Sequence, residues 1–158
     1  MVVESVPWSS YAHAEPAHAA QVEALLVGHP HHVLATVRAD GSPRVGGTNV
    51  FVTDGDLWIG MMPQALRAAD LRREPRCAVH TAPLSEALDP PDARLDLVAR
   101  ELPPEAARAR VLGTGAPDAD GLAFSLAVRA VTLVRVEGEQ LVLERWTPAG
   151  GLRVRRLG

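Results

Sequence analysis

Two acidic-glycine turns, Asp40-Gly41 and Asp54-Gly55-Asp56, constrain this chain more than any other feature of its sequence. Such pairs supply the positive-φ positions that tight hairpins need, and here they separate three β-rich segments. Residues 32–38 (HVLATVR) are dominated by β-branched side chains, residues 43–53 resume an extended pattern, and residues 57–61 (LWIGM) follow at once. In the middle segment Val45, Asn49, Phe51 and Thr53 share one face, and Gly46, Thr48, Val50 and Val52 the other. Connections this short leave no room for a crossover helix, so an antiparallel meander is expected.

The remaining chain alternates short strands with a few helices. Pro16 can open a helix and Gly28 close it, with Val22, Leu25 and Leu26 on one face. Pro63 starts a second helix over residues 64–73, and Pro75 ends it. Residues 77–81 and 95–100 read as strands, separated by a loop over 83–92 that contains Pro90-Pro91 and is the expected site of disorder. Pro103-Pro104 begins a helix through Leu112, and residues 113–121 form a Gly/Asp/Pro loop. Residues 127–136 and 141–146 make a terminal hairpin about Glu137-Gly138-Glu139. The fold class is therefore mostly β (α+β), a barrel of six to seven antiparallel strands, because closure removes exposed edges. One domain is expected, with residues 1–30 as an N-terminal segment and helix packed on a barrel of residues 31–158.

Composition narrows the function. A chain of 158 residues that is 47% hydrophobic can bury one core. Its net charge of -3, with all 16 basic residues Arg, argues against a nucleic-acid partner, which calls for a basic face. The single Cys77 allows no internal disulfide and suits a reducing compartment. The N-terminal stretch lacks a basic region followed by an apolar run, and nothing approaches the roughly 20 apolar residues of a membrane span. A soluble cytoplasmic protein with no membrane partner is expected.

The chemistry concentrates where the third strand meets its helix. Arg67 lies in the first turns of that helix, where unpaired backbone N–H groups and a guanidinium together make an anion site. Gly46-Gly47 stands inside the second strand, a place where glycine often marks close approach of a ligand. Other constellations are weaker. His29, His31 and His32 lack a further ligand at suitable spacing, so no metal site is expected. Cys77 and His80 fall on opposite strand faces, Gly113-Thr-Gly115 lacks the context of a dinucleotide fingerprint, and there is no Gly-x-Ser-x-Gly elbow.

The ordered series of residues 31–45 (HHVLATVRADGSPRV), 57–61, the arginine-rich run 67–76 and Trp146 resembles the FMN-binding split-barrel family typified by pyridoxamine 5'-phosphate oxidase, most closely its small actinobacterial-type members. The resemblance spans about residues 31–156 and is strongest over 31–83. It implies a split barrel, FMN as cofactor, and a homodimer with cofactor sites at the subunit interface that acts on a small-molecule substrate. By that resemblance Gly46 to Phe51 match the strand lining the isoalloxazine and ribityl groups, and Val45, Gly46, Gly47, Thr48 and Asn49 are the cofactor-binding residues expected there. Gly60 and Met61 match the pair beside the phosphate, Leu66 and Arg67 the basic pair that grips it, and Trp146 a tryptophan reaching in from the C-terminal strand.

Some positions depart from the family pattern. Ala65 replaces a hydroxyl residue, the basic pair is reduced to Arg67, and Gly46 and Phe51 stand where the oxidase carries Arg and Lys. Fewer donors leave the deazaflavin F420 and haem as alternative ligands, on a reductase of the same fold or a non-catalytic binding module. Arg153, Arg155 and Arg156 match the family's closing motif only loosely, which argues against pyridoxamine-phosphate oxidase activity itself. No residue is nominated as catalytic.

Overall fold

The computed structural model describes residues 4–116 and 120–158. The described chain runs α1 (Trp8–Ala14), α2 (Pro16–Val27), β1 (His32–Val37), β2 (Pro43–Thr48), β3 (Val50–Thr53), β4 (Asp56–Met61), α3 (Leu66–Arg73), β5 (Arg76–His80), β6 (Asp92–Glu101), α4 (Pro104–Gly113), β7 (Leu122–Glu137), β8 (Gln140–Thr147) and β9 (Gly151–Leu157). All ladders are antiparallel, in the order β2-β1-β5-β6-β7-β4-β3, with β8 on β7 and β9 on β8. This is a split-barrel architecture in which the sheet does not close through hydrogen bonds.

Two features explain the split. The long strand β7 pairs along one side with β6, across a bulge at Asp96/Leu97. Its other side is shared: Leu122–Ser125 face β4, Val128 bridges to Val6, and Val131–Glu137 face β8. The sheet thus divides about Val128, and β8 and β9 diverge from β4 and β3. At the far end, β2 and β3 are the two margins of the seven-strand path yet are joined through one residue, Asn49.

The expected meander is corrected by that geometry. The turns form hairpins β1–β2 and β3–β4, with Gly41, Asp54 and Gly55 all at positive φ. The middle segment does not join them into one ladder, because it breaks at Asn49 and sends its halves to opposite margins. Nine strands therefore stand where six or seven were expected. The additions are this break and β9, whose Arg-rich sequence carries no apolar alternation. Helix α3 begins at Leu66 instead of Gln64, and α1 had not been anticipated. Of the loop expected over 113–121, residues 117–119 lie outside the described residues.

The core is built by alternation. Leu95, Leu97 and Ala99 of β6 point inward, as do Leu34 of β1 and Leu57 and Ile59 of β4. Helices α1 and α2 lie over this core with Trp8, Tyr11, Ala19, Val22 and Leu26 buried. A hydrogen-bond chain fixes them: the Tyr11 hydroxyl donates to His18 Nδ1 at 2.6 Å, and His18 Nε2 donates to the Glu144 carbonyl of β8 at 3.1 Å. Burial lowers the His18 pKa and Arg135 adds to that effect, so the ring is held neutral. Burial likewise pushes the Cys77 thiol up to about 12, which makes it an unreactive core residue. No helix among the described residues is long and apolar enough to cross a membrane.

Candidate functional site

Helix α3 is oriented by a buried carboxylate. Asp70, one turn after Arg67, accepts from Thr36 Oγ1 of β1 at 2.8 Å and from Arg44 Nε of β2 at 2.7 Å, and pairs with Arg73 at 3.4 Å. Burial alone would raise its pKa; the hydrogen bonds from Arg44, Thr36 and Arg73 outweigh that and hold it below the ordinary carboxylate value. Arg73 also donates to the Val37 carbonyl. The start of α3 is thereby fixed against β1 and β2.

Arg67 sits differently from its neighbours on the helix. Arg72 is paired with Glu101, Arg73 with Asp70 and Arg76 with Glu74. Arg67 has no carboxylate partner among the described residues; its Nη1 donates to the Gly47 carbonyl at 2.7 Å. A single neutral acceptor leaves most of the guanidinium fork free and its charge uncompensated. The N-cap, Ala65, offers no side-chain acceptor to the first-turn N–H groups. This corner is therefore a cationic, donor-rich end of a helix.

Around it lies a cleft of ≈ 260 Å³ lined by Gly47, Thr48, Asn49, Gly60, Met61 and Arg67, with His31, Met62 and Ala65 completing its wall. Six of the residues singled out from the sequence thus meet at one place, although they come from β2, β4, α3 and the Asn49 link. Gly46 lies beside them: a Cβ there would stand 3.7 Å from Arg67 Nη1. Val45 and Leu66 are exposed at the rim and do not line the cleft. Trp146 is not brought to this corner. It is buried on β8 with its ring centroid 4.8 Å from that of Tyr11, inside the main core. Its spacing in sequence says nothing of α1, which covers it.

A larger cleft of ≈ 640 Å³ adjoins the first, sharing Asn49, Gly60, Met61 and Met62 with it. Its floor holds Phe51 and Trp58, stacked at 4.5 Å and 24°. Trp58 is fixed by donating from Nε1 to Thr53 Oγ1 at 3.0 Å. The opposite wall comes from α4 and the turn after it, through Val111 and Thr114. Arg110 pins that helix to the β3–β4 hairpin, reaching the Thr53 carbonyl at 3.1 Å and Asp56 at 3.4 Å. Of this half of the site, Asn49, Phe51, Gly60 and Met61 were singled out from the sequence, whereas Trp58 and the α4 wall were not. The local signal was the Phe51/Trp58 pair on neighbouring strands, but the α4 wall is set by contacts distant in sequence.

The strand order and the helix that starts beside it define a split barrel, and the comparisons agree at the level of fold. No protein-family model matches the sequence, and no curated protein matches it. PhzG from Burkholderia lata, solved with tetrahydrophenazine-1-carboxylic acid, superposes with a TM-score of 0.64 at 12% identity over 98% of this chain and 99% of its own. A Listeria innocua protein described as a candidate pyridoxamine 5'-phosphate oxidase gives 0.61 at 15% identity, over 72% of this chain and 95% of its own. General stress protein 26 from Bacillus anthracis gives 0.59 at 16% identity, over 72% and 91%. The chain has the pyridoxamine 5'-phosphate oxidase-like split-barrel fold. At these identities the likeness speaks for the fold alone.

Proposed function

We propose that the Arg67 corner binds FMN by its phosphate and that the protein is an FMN-dependent oxidoreductase acting, as a homodimer, on a small molecule. The observation that carries this reading is the uncompensated Arg67 guanidinium, held at the start of α3 in a cleft it shares with Gly47, Thr48, Asn49, Gly60 and Met61. The residues fit the group: a phosphate supplies the acceptors that the free guanidinium and first-turn N–H groups lack, and Gly47 leaves room beside the strand. Arg67 would hold the phosphate, the β2 backbone would flank the ring, and Asp70 would keep α3 in place. Bound there, FMN supplies the redox chemistry, and the protein's part is to bind, orient and tune it.

FMN is favoured over F420 by charge. The long anionic tail of F420 calls for further cations, and the adjoining cleft offers Asp120 and no Arg, Lys or His among the described residues. A haem- or flavin-storing module is the second reading, and His31 at the cleft is the observation on its side. The dimer is supported by the unpaired outer edge of β2 and by exposed Val45, Met62 and Leu66 around the same corner. It is checked by light scattering of the purified protein, where a single-chain mass of 16.8 kDa would exclude it.

The cofactor is tested by titrating FMN, F420 and haemin into the purified protein and following flavin fluorescence and the visible spectrum. Saturable FMN binding that weakens in Arg67→Ala is expected; no saturable flavin signal would overturn the proposal. Turnover of reduced nicotinamide with a panel of acceptors separates the oxidoreductase from the storage module.

A further inference from the structure

The larger cleft carries information about what the site accepts. At ≈ 640 Å³ it has the size of a site for a small organic molecule. Its floor is aromatic, made by half-buried Phe51 stacked on the buried Trp58, and Met61, Pro63 and Val111 extend the apolar lining. The one charged lining residue among the described ones is the carboxylate of Asp120, and residues 117–119 (Pro-Asp-Ala) include no cation in sequence. Arg110, which precedes the lining residue Val111 on α4, is engaged by Asp56 and the Thr53 carbonyl. On the other side Arg67 is the cation of the phosphate corner.

We infer that this cleft is the acceptor site for a flat aromatic molecule that is neutral or cationic, and that it discriminates against carboxylated or phosphorylated compounds. The inference rests on the FMN reading only for the identity of the neighbouring occupant; binding in the larger cleft stands by itself. Three physical effects point the same way. A planar ring buries apolar area against the aromatic floor and gains stacking geometry there. A ligand cation gains further from the negative face of Phe51, the ring of the pair that is partly exposed. An anion loses solvation with no donor cation to replace it, and it meets the Asp120 carboxylate. Asp120 is exposed, so its share is modest and is screened by salt.

The test uses three matched bicyclic probes: quinoline, N-methylquinolinium and quinoline-2-carboxylate. Each is titrated by calorimetry at pH 7.5 and low ionic strength into FMN-saturated and FMN-free protein. Quinoline and N-methylquinolinium are expected to saturate, and the carboxylate to bind at least about tenfold more weakly than the cation in the FMN-saturated protein, where Arg67 is neutralised. Asp120→Asn should narrow that gap to about threefold. Thr114→Trp, a substitution on the exposed turn at the cleft wall, should block both favoured probes while FMN affinity holds. Arg67→Ala should do the reverse.

Equal affinity for all three probes, absence of saturation, or displacement of FMN by the probes would overturn the inference. If FMN fails to bind while the two favoured probes do, the flavin reading falls and the acceptor site stands. If FMN binds and the probes do not, the acceptor site falls alone.

Discussion

Five of the protein's six Phe, Tyr and Trp residues are divided between two places with different character, the sixth, Phe124, lying in the main core. Trp8, Tyr11 and Trp146 form a closed cluster under α1, where the tyrosine hydroxyl and both nitrogens of the adjoining His18 have partners. Phe51, half-buried and stacked on the buried Trp58, floors a cleft that adjoins an arginine with no carboxylate partner among the described residues. Buried rings packed on one another, with Tyr11 and His18 hydrogen-bonded, are what a fold needs to hold its N-terminal helices. A ring left partly exposed beside a guanidinium with one neutral acceptor is what a ligand can complete. The difference separates structural from functional aromatics without reference to any relative.

Removing a ring from the closed cluster should have the largest effect. Trp146→Ala is expected to destabilise the fold by about 3–5 kcal/mol, read by chemical denaturation. If FMN binding were lost while stability held, the cluster would be a ligand site and the contrast would fail. Arg67→Ala should behave oppositely, weakening FMN by the worth of one charge-assisted contact, about 1.5–3 kcal/mol, with the melting temperature unchanged. A drop in melting temperature at constant affinity would make Arg67 structural.

Mild acid should act on the closed side through His18, whereas the Asp70 contacts yield only at lower pH, in and below the carboxylate range. Because the folded pKa of His18 lies below its ordinary value, the unfolded chain holds more protons between the two. Stability is therefore full above about pH 6.5 and falls as the pH drops below it, by at most about 1.4 kcal/mol per pH unit. Denaturation curves at pH 7.5 and 5.5, compared with those of His18→Gln, isolate this contribution; an unaltered slope in the variant would refute it. The smallest effect belongs to the open side. Ala65→Ser places a hydroxyl at the N-cap of α3, worth about 1 kcal/mol. Tighter FMN binding would mean that it faces the phosphate, whereas a higher melting temperature alone would mean that it caps the helix.

Much of this contrast was legible in the sequence, but unevenly. Helix α2 announced its ends through Pro16 and Gly28, β6 its buried face through Leu95, Leu97 and Ala99, and the cationic corner itself through Arg67 shortly after a strand. These are local patterns of period and punctuation. The closed cluster was not legible, because α1 has only seven residues and its Trp8 and Tyr11 gain meaning from Trp146, far along the chain. The break at Asn49 escaped for the same kind of reason. Nothing in residues 43–53 interrupts the β pattern; the two halves separate because β1 claims one and β4 the other.

That break has a consequence for how the molecule is held together. The first and last strands of the seven-strand path are neighbours along the chain, tied by one residue that also lines both clefts. The girth of the barrel is set there by covalent bonds where other barrels rely on a ladder. Whatever grips Asn49 from the cleft side takes hold of both margins at once, so occupancy should slow amide exchange in β2 and β3 together, as one unit, with neither strand able to tighten alone.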